Sequence, residues 1–262
     1  RKAMRSGAEM VEPDYTVEDA EKVMQQFVPC PYETWQNLFD GPTGKIEMRF
    51  TDVGHLLGSA SISLRVTEPG KQPEIIVFSG DIGNTHQPLI KDPANPGHAD
   101  YLIMESTYGD RSHGPKPDYL GELTDVLQST FDKGGNVVIP SFAVGRTQEL
   151  LYFIREIKDQ GLVTSVPNFP VYVDSPLAKS ATTIFCGDLR GYLDEEALAL
   201  VQDGTHMFNF PGLHLTETVE ESKLLNMDHT PKVIISASGM CDAGRIRHHL
   251  KYNLWRADSA VV

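Results

Sequence analysis

The sequence predicts an α/β protein in two parts: a strand-rich stretch over residues 1–112 and a doubly wound parallel sheet over residues 113–262. Three observations carry this reading. Ile46, Met48 and Phe50 alternate with Glu47, Arg49 and Thr51, the period-two pattern of a strand with one buried face. Beyond residue 118 the short β-branched runs Val137-Val138-Ile139, Val171-Tyr172-Val173 and Val233-Ile234-Ile235 alternate with stretches of helical period, as βαβ units do. Between the two parts, residues 110–117 are polar and mark the change of pattern.

Each element has its own signal. Thr16, followed by Glu18 and Asp19, is a helix start, and Val17, Ala20, Met24 and Phe27 recur at helical spacing until Pro29. After the strand around Ile46–Thr51, Ser61–Val66, Glu74–Phe78 and Tyr101–Met104 read as further strands. A helix over 118–132 is closed by Gly134-Gly135, and one over 146–159 is stopped by Gly161. Further helices are expected near 176–185, 194–202, 219–226 and 243–254. Ala260-Val261-Val262 reads as the opening of another buried strand, so the C-terminus is expected to be an imposed cut. The first residue is not Met, and the gene product is expected to start upstream.

Composition narrows the functional classes. A length of 262 residues suffices for one large domain or two modest ones. No apolar run reaches the roughly 18–20 residues that span a bilayer, so no membrane partner is expected. The basic start Arg1-Lys2-Ala3-Met4-Arg5 has no apolar stretch after it and is not a secretory signal. Cys30, Cys186 and Cys241 are odd in number and far apart, which argues against a disulfide framework or a Cys-rich zinc site. They read as buried thiols in a reducing cytoplasm. A net charge of −13 excludes indiscriminate binding to nucleic acid, so any such site must be a local basic groove.

Two sets of residues could carry chemistry. His55 lies in the Gly-flanked turn Gly54-His55-Leu56-Leu57-Gly58-Ser59, Asp81 follows a strand in Ser79-Gly80-Asp81, and Glu105 follows another. Ionisable groups at the ends of neighbouring strands can converge on one sheet edge, where metal and acid–base sites are built, although turn-forming or capping roles would give the same residues. The second set lies in three strand-to-helix turns: Ser141 to Arg146, Asp174-Ser175-Pro176-Leu177-Ala178, and Ser236 to Gly239 with Gly244-Arg245 beyond. Helix N-termini attract anions, and three of them at the carboxyl ends of parallel strands would line one crevice. Arg245, His248 and His249 stand at i, i+3 and i+4 and are expected to share one phosphate-facing helix face, with a solvated surface as the bland account.

In this order, the segments resemble the β-CASP branch of the metallo-β-lactamase nucleases, relatives of ribonuclease J and of the pre-mRNA 3′-end cleavage nuclease. The resemblance covers nearly the whole chain. Val11-Glu12-Pro13 with the following helix looks like the family's linker. The His55 and Asp81 turns look like its third and fourth metal motifs, and Glu105-Ser106-Thr107-Tyr108-Gly109 looks like the acidic motif before its insert. Phe142-Ala143-Val144-Gly145-Arg146, Asp174-Ser175-Pro176-Leu177-Ala178 and Ser238-Gly239-Met240 through His248-His249-Leu250 look like landmarks of that insert. The resemblance implies part of a metallo-β-lactamase αββα sandwich followed by a β-CASP domain incomplete at its C-terminus. It implies zinc-dependent hydrolysis of RNA phosphodiester bonds, in RNA processing or decay, with two zinc ions in the complete protein. His55 would bind one zinc and Asp81 would bridge both; Asp81 and Glu105 would be the catalytic side chains. Ser141, Arg146, Ser175, Ser238, Gly239, Arg245, His248 and His249 would hold single-stranded RNA by its backbone. A homodimer is left open.

Two departures temper this. The family's upstream His-x-His-x-Asp-His motif and its downstream Ser-Ala-His and His-Gly motifs do not occur in this sequence. A catalytic zinc takes three protein ligands and a water. The chain is therefore expected to be a central fragment, inactive alone. A DNA-acting nuclease and a non-catalytic nucleic-acid-binding subunit stand as alternatives.

Overall fold

The computed structural model describes residues 13–112, 114–203 and 207–262; Val11 and Glu12 of the linker-like segment lie outside them. Thr16 begins α1 (Val17–Met24) with a capping box: its hydroxyl accepts from the Asp19 N–H at 3.3 Å, and the Asp19 carboxylate accepts from the Thr16 N–H at 2.9 Å. The helix buries none of its residues and ends before Phe27.

Strands β1 (Gln36–Gly41), β2 (Gly44–Asp52), β3 (Ala60–Thr67), β4 (Glu74–Phe78) and β5 (Tyr101–Ile103) form one sheet in that order. All pairs are antiparallel except β4–β5. The register stacks Met48, Leu64, Ile76 and Tyr101 in one row and Phe50, Ile62, Phe78 and Ile103 in the next, giving a continuous apolar face. The sequence led us to expect this face to be buried, and that expectation is corrected: none of these side chains is buried, and Tyr101 and Ile103 are 55% and 50% exposed. Alternation sets the direction of a side chain; burying it needs a second layer. The opposite face is polar, with the guanidinium groups of Arg49 and Arg65 over the Trp35 ring at 5.0 and 4.3 Å and Glu47 paired to Arg65.

The second sheet is wholly parallel in the order β10-β6-β9-β7-β8, with β6 at Val137–Pro140, β7 at Val171–Asp174, β8 at Leu213–Leu215, β9 at Val233–Ser236 and β10 at Ala260–Val261. Val137, Ile139, Val171, Val173, Val233 and Ile235 face one side. There they join the main core with Leu123 and Leu127 of α2 (Tyr119–Asp132), Leu151 and Ile154 of α3 (Arg146–Asp159), and Ala178 of α4 (Pro176–Phe185). α5 (Glu195–Gln202) adds Ala197 to that core, and α6 (Val219–Leu225) leads into β9. α7 (Ile246–Asn253) packs on β6, β9 and β10.

Three further expectations change. β10 forms but is an edge strand with one neighbour, and Val261 and Val262 are exposed rather than buried. α7 begins at Ile246, because the loop before it turns through left-handed residues at Cys241 and Gly244. All three cysteines are free, but Cys186 is exposed and the other two are half-buried. No helix among the described residues is long and apolar enough to cross a membrane.

Candidate functional site

Strand direction brings the first set of residues together. Asp52 at the end of β2 pairs with Ala60 at the start of β3, and β4 and β5 both end on that same side, so the turns carrying His55, Asp81 and Glu105 leave one sheet edge. Hydrogen bonds stitch these turns to each other. The Gly83 N–H donates to the Val53 carbonyl at 2.8 Å, Ser79 N–H to the Ile103 carbonyl at 2.9 Å, and Ile82 N–H to the Glu105 carboxylate at 2.7 Å. Within the first turn the Ser59 hydroxyl accepts from the N–H groups of both His55 and Leu56 at 3.1 Å. Gly54 has a φ of +58, and a Cβ there would meet the Lys91 carbonyl at 2.6 Å, so the turn needs glycine.

His55 and Asp81 are exposed and Glu105 is half-buried. The Ile82 N–H, the Thr107 hydroxyl and the nearby His55 hold the Glu105 carboxyl below the usual carboxylate range, so it is a carboxylate at neutral pH. Among the described residues, no three His, Cys, Asp or Glu side chains come together in a way that could hold a metal ion. This edge therefore offers parts of a centre.

The second set collects at the carboxyl edge of the parallel sheet, where Pro140 and Asp174 both stand in register with Ser236. Its members differ in what they present. Ser141 is 1% exposed; its hydroxyl donates to the Phe142 carbonyl and accepts from Thr147. Ser175 is also buried and serves as the N-cap of α4, accepting from the Ala178 N–H at 3.2 Å. Ser238 donates to Asp242 at 2.6 Å, and Gly239 packs against the Phe142 ring. Arg146 is open to solvent and paired with Glu149.

The reading of Arg245, His248 and His249 as one phosphate-facing group is corrected. His248 is exposed, but His249 is fully buried, with Nε2 2.7 Å from Asp174 Oδ2 and Nδ1 3.0 Å from Asn226 Oδ1. Arg245 points the same way, donating to Asp174 Oδ1 at 2.7 Å and to the Glu217 carbonyl at 2.8 Å. Residues at i, i+3 and i+4 are neighbours, yet 100° per residue still turns His249 onto the stripe of Ile246 and Asn253, which faces the sheet. Asp174, which sequence reasoning passed over as a site residue, is the centre. Burial pushes its carboxyl up, but hydrogen bonds from His249, Ser222, Thr216 and Arg245 outweigh that and hold it well below the usual range. An Asp closing a β-branched strand directly before a Ser cap was the available signal.

The two edges meet. Gly145, the N-cap of α3 with a φ of +81, lies so close to Leu56 that a Cβ would sit 2.3 Å from its Cδ2. Glu149, one turn into that helix, feels the charges of Arg146 and His55 while burial pushes its carboxyl up. Tyr32 and Tyr192 stack edge-on at 5.8 Å, and Lys91 donates to the Gly191 carbonyl, extending the seam.

A family model described as Beta-Casp domain matches residues 147–262. The chain is 36% identical to "Ribonuclease TTHA0252" of Thermus thermophilus over 253 residues, which is 97% of this chain and 55% of that protein. It is 30% identical to an "RNase J-like protein" of Methanocaldococcus jannaschii over 90% of this chain and 52% of that one. It is 29% identical to "Endoribonuclease YSH1" of Candida glabrata over 76% of this chain and 25% of the relative. The chain thus spans about half the length of the first two curated relatives and a quarter of the third.

Proposed function

The chain belongs to the β-CASP family, with its Beta-Casp domain at residues 147–262, and on that premise we propose that it is the central part of an enzyme that hydrolyses RNA phosphodiester bonds. The observation that carries the reading is the meeting of two edges. One presents His55, Asp81 and Glu105; the other presents Arg146, Ser238, Gly239 and His248 around three strand-to-helix turns. Hydrolysis of an RNA backbone needs an anion-holding surface beside ionisable groups, and this seam offers both. The relatives named as ribonucleases support the substrate class.

Within this reading the division between the two parts falls near residue 112. The turns and Arg146 hold single-stranded RNA by its phosphates, leaving base sequence largely unread, while Arg245 braces Asp174. Ser141, Ser175 and His249 act from beneath, by shaping the turns. Glu105 is the residue that accepts a proton, as its ionised state allows. His55 and Asp81 are two ligands where a catalytic zinc takes three from protein, so this chain's residues do not fit a zinc centre by themselves. The two zinc ions of the proposal need ligands from beyond it. Three free cysteines fit a reducing, cytoplasmic setting.

The test uses the complete protein with matched RNA and DNA oligonucleotides. RNA cleavage that is lost in His55→Ala, Asp81→Asn and Glu105→Gln is expected. Cleavage of DNA alone would move the protein to the DNA-acting branch, and binding without cleavage would make it a binding subunit.

A further inference from the structure

Arg146 and Glu149 occupy the seam in an arrangement that ordinary helix pairing does not require. The Nη1 of Arg146 donates to Glu149 Oε2 at 2.7 Å; the arginine side chain is 56% exposed and the glutamate 12%. An exposed arginine rarely gains much from such a partner, because both groups are solvated and mobile. Here one partner is fixed. Glu149 is half-buried on α3, where it lines one hollow together with Arg146, Glu122, Leu123, Leu150 and Phe153, and the preceding helix cap is pressed onto Leu56, beside His55. The carboxylate is therefore anchored while the guanidinium keeps its remaining donors in solvent.

We infer that Glu149 is a positioning residue for RNA: it orients the Arg146 guanidinium at the seam so that its free donors meet a backbone phosphate next to the His55 edge. A planar guanidinium has a preferred approach to phosphate, and fixing one of its donors removes much of the rotamer entropy that binding would otherwise lose. The inference rests on the proposed RNA-binding reading and adds a residue to it. It also fixes a sign. A carboxylate that merely stood near the RNA would repel phosphate, and removing its charge would tighten binding. A carboxylate that orients the arginine weakens binding when it is removed.

The experiment measures RNA affinity and its salt dependence in the complete protein for Arg146→Ala, Glu149→Gln and the double variant. Arg146→Ala is expected to bind roughly tenfold more weakly and to reduce the salt slope by about one phosphate contact. Glu149→Gln, which keeps the shape of the side chain, is expected to bind roughly three- to fivefold more weakly. In the Arg146→Ala background it should have no further weakening effect, the non-additivity of a pair acting as a unit. Tighter binding by Glu149→Gln, or the same loss with and without Arg146, would overturn the inference while RNA binding by the unmodified protein stands. No RNA binding by the unmodified protein would remove the functional reading and this inference together. Thermal unfolding of each variant separates these outcomes from loss of fold.

Discussion

His249 Nε2 lies 2.7 Å from Asp174 Oδ2, with neither side chain reachable by solvent, and Arg245 completes the group from the other carboxylate oxygen. One carboxylate thereby ties the end of β7 to α7, to Thr216 after β8 and to Ser222 of α6. Removing one partner of a buried charged group leaves the other uncompensated, which typically costs about 3–5 kcal/mol. Asp174→Ala is expected to destabilise the second sheet by that order, measured by urea unfolding followed through the tryptophan signal and far-ultraviolet dichroism. A loss below about 1 kcal/mol would show that water satisfies the group instead.

The same carboxylate sets an acid limit. Its folded-state pKa is depressed, so its contribution is fully present above the ordinary aspartate value of about 3.9 and is lost as pH falls from there through the folded value. Unfolding free energy should decline below about pH 5, with a shallower decline in Asp174→Asn. Asp188 and Asp228, each lowered to about 2, lie in more exposed ion pairs and should add less to the slope.

The 29.0 kDa chain alone is expected to leave RNA intact at any zinc concentration and to retain less than one zinc per chain after dialysis, read by elemental analysis. Stoichiometric zinc binding by this chain would mean that a third ligand comes from residues not yet assigned.

The apolar face of the first sheet makes a separate prediction. Rows such as Phe50, Ile62, Phe78 and Ile103 lie on an uncovered surface, and large exposed apolar patches bind hydrophobic dyes or other chains. The isolated chain should enhance anilinonaphthalene-sulfonate fluorescence and self-associate. Phe78→Thr with Ile103→Thr should reduce both, because Phe78 and Ile103 are 39% and 50% exposed on that face.

Much of the fold is legible from local pattern, since the second-half helices and strands carry their own caps, breakers and β-branched runs. Two strands escaped. β1 has an irregularity between Asn37 and Phe39 that breaks alternation, and β8 has only three residues. At the site, the turns carrying His55, Asp81 and Glu105 are readable because each follows a strand. The inward turn of His249 is not, because its partner Asp174 lies 75 residues upstream. Glu149 escaped for a related reason: along the helix it reads as a surface charge, and only the packing of α3 on Leu56 places it at the seam.

The strand order of the second sheet also bears on how the protein is assembled. β6 and β7 follow one another in sequence but do not touch, because β9 lies between them, and Asp174 meets Ser236 across a separation of 62 residues. During synthesis the sheet therefore has a gap at its middle until β9 leaves the ribosome, with Val171 and Val137 each lacking the neighbour that will cover its backbone. Such long-range closure is slow compared with hairpin formation. The central strand acts as a keystone set after both of its neighbours, and sequence changes that delay it should expose the nascent chain to aggregation and to chaperones before any loss of native stability is measurable.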